Sequence, residues 1–337
     1  MLRSYLKEAF SSFHTGADAW QENEVTGGRC NAMLTRAIEH VVDETDTRIR
    51  AVPRYTQSLG EPVEKVFRLI NTLVEDIPAP VTCRRSAYTQ DDTVRALFAG
   101  PDHLQKVFSE SENVRSYFHE NAVSDDCWAL LCMQKEERTR TGMSQVSGRV
   151  VRDVLQTAVS FTDHQLMSPG VSEEDARCAL KSCIFNSLLA HAKQEARSAV
   201  AGAAQQEARL KTLKNKLTLH DKADVTAGLV LENQIRSLEE SLVNQPVRLM
   251  TPADHLTFVI SILEQPEQYV SEQRCRMRLN NTNVLLDIND DSGNEIELSE
   301  IKVASHSARV ALLVQFPRSE LLPTPDFSRM ADIFLAN

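Results

Sequence analysis

The chain has 337 residues, 42% hydrophobic and 25% charged, a balance that excludes wholesale disorder and leaves enough apolar surface for a sizeable core. Asp and Glu outnumber Lys and Arg by 47 to 37, and the net charge of −10 opposes nonspecific binding of the whole molecule to DNA or anionic membranes. Only 11 glycines are present, about half the usual share of roughly 7%, which argues against a turn-dense all-β protein and predicts a predominantly helical α+β fold.

Residues 1–27 open the chain with Leu2, Tyr5, Leu6, Ala9, Phe10 and Phe13 at intervals of three and four, one apolar face of a helix. A helix docked on the core is expected, because an interfacial membrane helix would want a cationic polar face. Arg3, Lys7 and Glu8 interrupt the apolar residues, unlike the continuous core of a secretory signal. Nowhere does the sequence approach the eighteen or so consecutive apolar residues of a membrane span. Seven cysteines without a C-x-x-C pair read as reduced, mostly buried thiols, and a cytoplasmic location without a membrane partner is expected.

Helical periodicity continues over 28–50 and 62–77, with Pro53 and Gly60 between them, and a connector from Pro78 to Asp92 follows. Period-two alternation at 127–133 and 155–161 predicts two strands, with Gly142 to Gly148 placed as their hairpin connection. From Ser172 a helical pattern runs without proline to about Leu219, roughly 70 Å if straight at 1.5 Å per residue. A second arm over 224–245 carries Leu231, Ile235, Leu238 and Leu242 on one stripe, facing Leu210, Leu213 and Leu217 of the first. An antiparallel, coiled-coil-like helical hairpin over 172–245 is the expectation. Another helix is predicted over 254–269, then strands at 274–279, 283–288, 295–303 and 308–316. Residues 324–337 read as a tail that ends in a short helix.

This order of elements repeats. Residues 102–120 align without a gap on 254–272 with eight identities, among them Asp102/Asp254, His103/His255, Tyr117/Tyr269 and Glu120/Glu272, where average composition gives about one. Val159-x-Phe161 with Leu166-Met167 parallels Val314-x-Phe316 with Leu321-Leu322 at the same spacing. The sequence therefore predicts a tandem-duplicated unit of helical hairpin, helix and antiparallel β hairpin or meander. Its parts are unit one over 28–168, the long hairpin of unit two over 172–245, and the helix and β meander of unit two over 246–323.

Few motifs carry chemistry. Asp102-His103 and Asp254-His255 resemble acid/base pairs, but each follows a proline at the start of a helix, and helix capping is the preferred reading. Arg274, Arg276 and Arg278 alternate along a strand and would suit a phosphate or carboxylate; Glu295, Glu297 and Glu300 nearby offer cross-strand pairing instead. Segment 193–222 sets seven cations, including Arg209, Lys211, Lys214, Lys216 and Lys222, against three carboxylates. That net of +4 in an acidic chain marks a surface for an acidic partner or a nucleic acid, though without the interleaved aromatics of single-strand binders. Asp287-x-Asn289-x-Asp291-x-Gly293 departs from a calcium loop at Ser292 and Leu298 and reads better as a β turn. Nucleotide-loop, zinc-protease and nucleophile-elbow motifs are missing, so no cofactor and no metal are expected.

The leading expectation is a non-enzymatic interaction or scaffold protein that presents its projecting hairpin to a protein partner or a second copy. The named arginines and lysines are the candidate partner-binding residues. Nucleic-acid binding through 193–222 is the alternative, and an enzyme of unspecified reaction, with His103 and His255 as first targets, is the third.

Overall fold

The computed structural model describes residues 24–146, 149–219, 225–243, 251–287, 290 and 293–323. The helices expected within 1–27 and 324–337, Lys222 with its turn, and much of the calcium-like 287–293 loop lie outside these residues. Helix accounts for 55% and strand for 27%, so the α+β class with an excess of helix holds. Residue contacts divide the chain into two compact units that alternate along the sequence: 70–184 with 269–323, and 24–69 with 185–268.

The first unit is built on an antiparallel sheet whose strands lie in the order β3-β2-β6-β5-β4. Here β2 is Asp126–Val146, β3 Arg149–Gly170, β4 Val270–Leu279, β5 Asn294–Val303 and β6 Arg309–Pro317; β1, Val81–Thr82, joins β6 in parallel. The sheet curls. Segment 283–286 reaches both of its ends, because Val159 N–H donates to Asn283 O on the β3 side and Leu286 N–H to Arg278 O on the β4 side. Segment 283–288, expected as a strand, makes only isolated bridges at Val284 and Leu285 among its described residues. Its backbone is bent by Asn283 at φ 55° and by Asn280 Oδ1, which accepts from the Thr282 and Val284 amides.

One face of this sheet holds the core. Leu131, Met133, Phe161, Leu298, Leu312 and Phe316 alternate inward and pack on four helices: α3 (Ala87–Gln90), α4 (Asp92–Leu97), α5 (Pro101–Glu110) and α6 (Glu112–Glu120). Phe108 of α5 stacks on Phe316 of β6 with centroids 4.4 Å apart. On the opposite face Leu130, Leu313 and Ala311 are also buried. Beyond Met133, β2 loses β6 and pairs with β3 alone as far as Val146 opposite Arg149. The expected connection from Gly142 to Gly148 is therefore too long, since the ladder continues through most of it.

The second unit is helical. It holds α1 (Glu24–Glu44), a 3-10 turn (Thr47–Ala51), most of α2 (Tyr55–Glu75), the greater part of α7 (Glu173–Thr218), α8 (Val225–Val243) and α9 (Pro252–Leu263). Val41, Val42, Val63, Val66 and Phe67 are fully buried, as are Leu188, Leu189 and Ala192 of α7, and Phe67 and Phe185 stack at 5.1 Å. The helix predicted from 62 starts seven residues earlier and carries Gly60 and Pro62 inside it. Leu59 and Val63, both fully buried on either side of Pro62, outweigh its missing N–H. The 46 residues of α7 match the long unbroken pattern. Ser172 and Asp175 cap it reciprocally, the Asp175 carboxylate accepting from the Ser172 amide at 3.1 Å while Ser172 Oγ accepts from the Asp175 amide at 3.2 Å.

Candidate functional site

The basic segment lies on α7 and reaches its C-terminal end. Arg209, Lys211, Lys214 and Lys216 are all exposed. Lys214 pairs with Glu239 of α8 at 2.6 Å, a link between the two arms, while Lys216 stands in the last turn, where the carbonyl end of the helix favours a cation. The apolar stripes predicted to face each other are incompletely covered. Leu210, Leu213 and Leu217 of α7 and Leu231 and Leu238 of α8 remain half-buried, and Ile235 is the one buried side chain among the described residues of α8. Leu229 and Val230 are more than half exposed, at 54% and 55%. A groove of about 510 Å³ between the arms is lined by Arg209, Leu213, Val230 and Leu238 with amide and hydroxyl side chains between them. A lone two-helix pair with this little burial gains little from its own seam.

The arginine row of β4 is occupied within its own sheet. Arg276 sits opposite Glu297 and Arg278 opposite Glu295, at 3.4 and 3.3 Å, and Arg274 reaches Glu297 and Asp76, each at 3.6 Å. These pairs are the cross-strand kind, and Arg278 also donates to Asp290 O at 2.9 Å. Beside them Lys135 of β2 bonds Glu300 and sits 3.2 Å from Glu137. Burial pushes the Lys135 ammonium down, but Glu300 more than offsets this and holds it above its ordinary value.

The two Asp-His pairs are not equivalent. Asp254 completes a capping box with Thr251, its carboxylate accepting from the Thr251 amide at 2.8 Å, and those bonds hold it below the usual carboxylate value. Asp102 makes no cap. Gly100 is the cap residue of α5, and Asp102 pairs with Arg85 instead. Capping thus holds for one pair and fails for the other: both helices start with a proline, but Asp254 stands third in its helix, opposite the Thr251 hydroxyl, whereas Asp102 stands second, behind a glycine cap residue with no side chain to answer it.

His103 points back to accept from the Ala99 amide through Nδ1 at 3.1 Å. Its ring stands perpendicular to that of His164, 5.3 Å away, and His164 stacks on Phe98 while donating through Nε2 to Leu97 O at 2.9 Å. Burial is the main reason that His164 titrates below 6.5, so the ring is neutral at pH 7. These two histidines open on a cleft of about 560 Å³ with Glu110 and Gln165 at its rim. His164 has no distinguishing neighbourhood in the sequence. It is aimed by a β bulge, where Asp163 takes φ 53° and the pairing jumps from Cys132–Gln165 to Gln134–Thr162. The other histidine, His255, lies 3.4 Å from Asp46 and 3.1 Å from Arg48 in the helical unit.

Most of the described thiols are withdrawn from solvent, while Cys183 and Cys275 are half-buried. Cys83, Cys127, Cys132 and Cys178 are buried, and burial raises Cys127 and Cys132 to about 12. Nor do the described residues contain a cluster of three or more metal-ligating side chains, or a helix long and apolar enough to cross a membrane. No known protein family matches the chain, and neither the curated proteins nor the solved structures contain a match.

Proposed function

We propose that this is a non-enzymatic interaction protein that offers the α7/α8 hairpin to a helix of a protein partner or of a second copy. The observation that carries the reading is the half-covered seam. Leu210, Leu213 and Leu217, and Leu231, Ile235 and Leu238, recur at heptad spacing on two arms that bury Ile235 alone among them. A third amphipathic helix laid in the groove would complete the burial, with Arg209 at its edge available to a carboxylate. Replacing residues 200–235 by a short Gly-Ser linker is expected to abolish association with the partner while the rest of the chain stays folded. Unchanged association would reject the proposal.

Nucleic-acid binding through 193–222 is the second reading, supported by the exposure of Arg209, Lys211, Lys214 and Lys216. A band shift that survives changing Lys211, Lys214 and Lys216 together to Glu would reject it. The proposed duplication draws its support from Val159 and Phe161 of β3 and Val314 and Phe316 of β6, which share one core on two strands flanking β2. The aligned blocks themselves differ, helical over 102–120 but helix, 3-10 turn and strand over 254–272.

A further inference from the structure

The helical unit holds a solvent-open cavity of about 260 Å³ whose polar lining is Thr45, Asp46, Arg48, Lys193, Arg197 and His255, with Arg48 and Arg197 exposed and Lys193 half-buried. It is formed where the 3-10 turn Thr47–Ala51 and the start of α9 meet the middle of α7. Ala192 and Ala196, at 0% and 5% exposure, supply the α7 wall, so the space exists because small residues stand where larger ones would fill it.

The charges in this lining do not balance. Asp46 is the sole carboxylate, and its oxygens are already taken: Arg48 Nε and Nη2 approach at 3.1 and 2.7 Å, and His255 Nε2 lies 3.4 Å away. Those Arg48 bonds hold Asp46 below its ordinary value, so it stays ionised. Lys193 and Arg197 sit one helical turn apart on the same face of α7, an arrangement in which like charges repel. Neither has an acidic partner among the described residues, although Glu195 is close by in sequence. Arg48, Lys193 and Arg197 against Asp46 leave the lining with two net positive charges, in a chain of net −10.

We propose that this cavity is a binding site for the phosphate group of a small phosphate monoester. Lys193 and Arg197 provide the unpaired cations, and Arg48, already oriented by Asp46, presents further guanidinium N–H groups. Thr45 fits the same ligand class. Its hydroxyl donates to Val41 O at 2.6 Å and so has only lone pairs left, suited to accept from a ligand hydroxyl. The volume is below the roughly 300–1,000 Å³ of pockets for drug-sized ligands, which selects a molecule with few atoms beyond its phosphate. Asp46 is a positioning residue here, since it holds Arg48 and repels the anion from its own side of the cavity.

The test is isothermal titration of the full chain at constant ionic strength with glycerol 3-phosphate and, separately, inorganic phosphate. Saturable one-to-one binding of glycerol 3-phosphate is expected. The Lys193→Gln/Arg197→Gln variant, which keeps much of each side-chain stem, should raise the dissociation constant about tenfold or more, the effect of losing charge-assisted bonds. Lys211→Gln/Lys216→Gln, on the exposed stretch of the same helix, should leave it unchanged. Circular dichroism of both variants checks that the helices persist; should the first unfold, Lys193→Met alone is titrated in its place with the same expectation. Absence of saturable binding, equal weakening by both double variants, or binding confined to phosphatidic acid vesicles would each overturn the proposal.

Discussion

The curled sheet and the α7/α8 hairpin handle the same residue types in opposite ways. In the sheet every arginine of the 274–278 row meets a carboxylate, and inward apolar residues such as Leu298, Leu312 and Phe316 are fully or almost fully covered. On the hairpin the cations stand exposed and the leucines are half-covered, although heptad spacing would let two arms bury them together if seam burial were all that mattered. Residue type alone therefore does not mark an interaction surface. What distinguishes the hairpin is apolar periodicity that remains unsatisfied within the fold.

That contrast can be broken first at the sheet. Phe108→Ala removes a fully buried ring stacked on Phe316 and is expected to destabilise the first unit by about 3–5 kcal/mol in a denaturant titration. A cost below about 1 kcal/mol would mean that this core is loose. Next comes Gly170→Ala, where a Cβ would collide with the Asp175 side chain that caps α7. Losing that cap should cost about 0.5–2 kcal/mol, read as a lower melting temperature.

A pH series tests the half-buried His164. His164 titrates below its unfolded value of 6.5, so between the two values the unfolded chain binds more protons and stability rises with pH. The melting temperature of the native protein should accordingly climb from pH 5 to 7 more steeply than that of His164→Asn. Parallel curves would contradict the burial of this ring. Arg276→Ala is expected to change stability by less than about 1 kcal/mol, because its pairing with Glu297 lies at the surface with the arginine 64% exposed. The smallest effect belongs to the hairpin, where Leu210→Ser/Leu217→Ser should alter the fold by about 0.5 kcal/mol or less and still impair association.

The elements most legible in the sequence are those whose periodicity is set by burial. α7 shows in its unbroken pattern, and β2 and β3 show where alternate residues enter the core, at 127–133 and 155–161. Their extension past Met133 is not legible, because over the described side chains of 134–143 and 152–156 none is buried and the alternation weakens. Val284-Leu285-Leu286 misleads for the converse reason, an apolar run whose backbone is turned by Asn280 and Asn283. The basic hairpin and the arginine row are readable as charge patterns, and the row's carboxylate partners as well. Asp46 and His164 are not, since each gains its neighbours from distant segments: His255 for one, and His103 with Leu97 for the other.

The account stands or falls on the unsatisfied seam. The most direct measurement compares association of the full chain with that of Leu210→Ser/Leu217→Ser, by co-purification from its own cells and by sedimentation for self-association, with melting curves as the control for folding. Loss of the partner or of the dimer at an unchanged melting temperature is the predicted result. Association retained in full by a variant that still melts normally would contradict it.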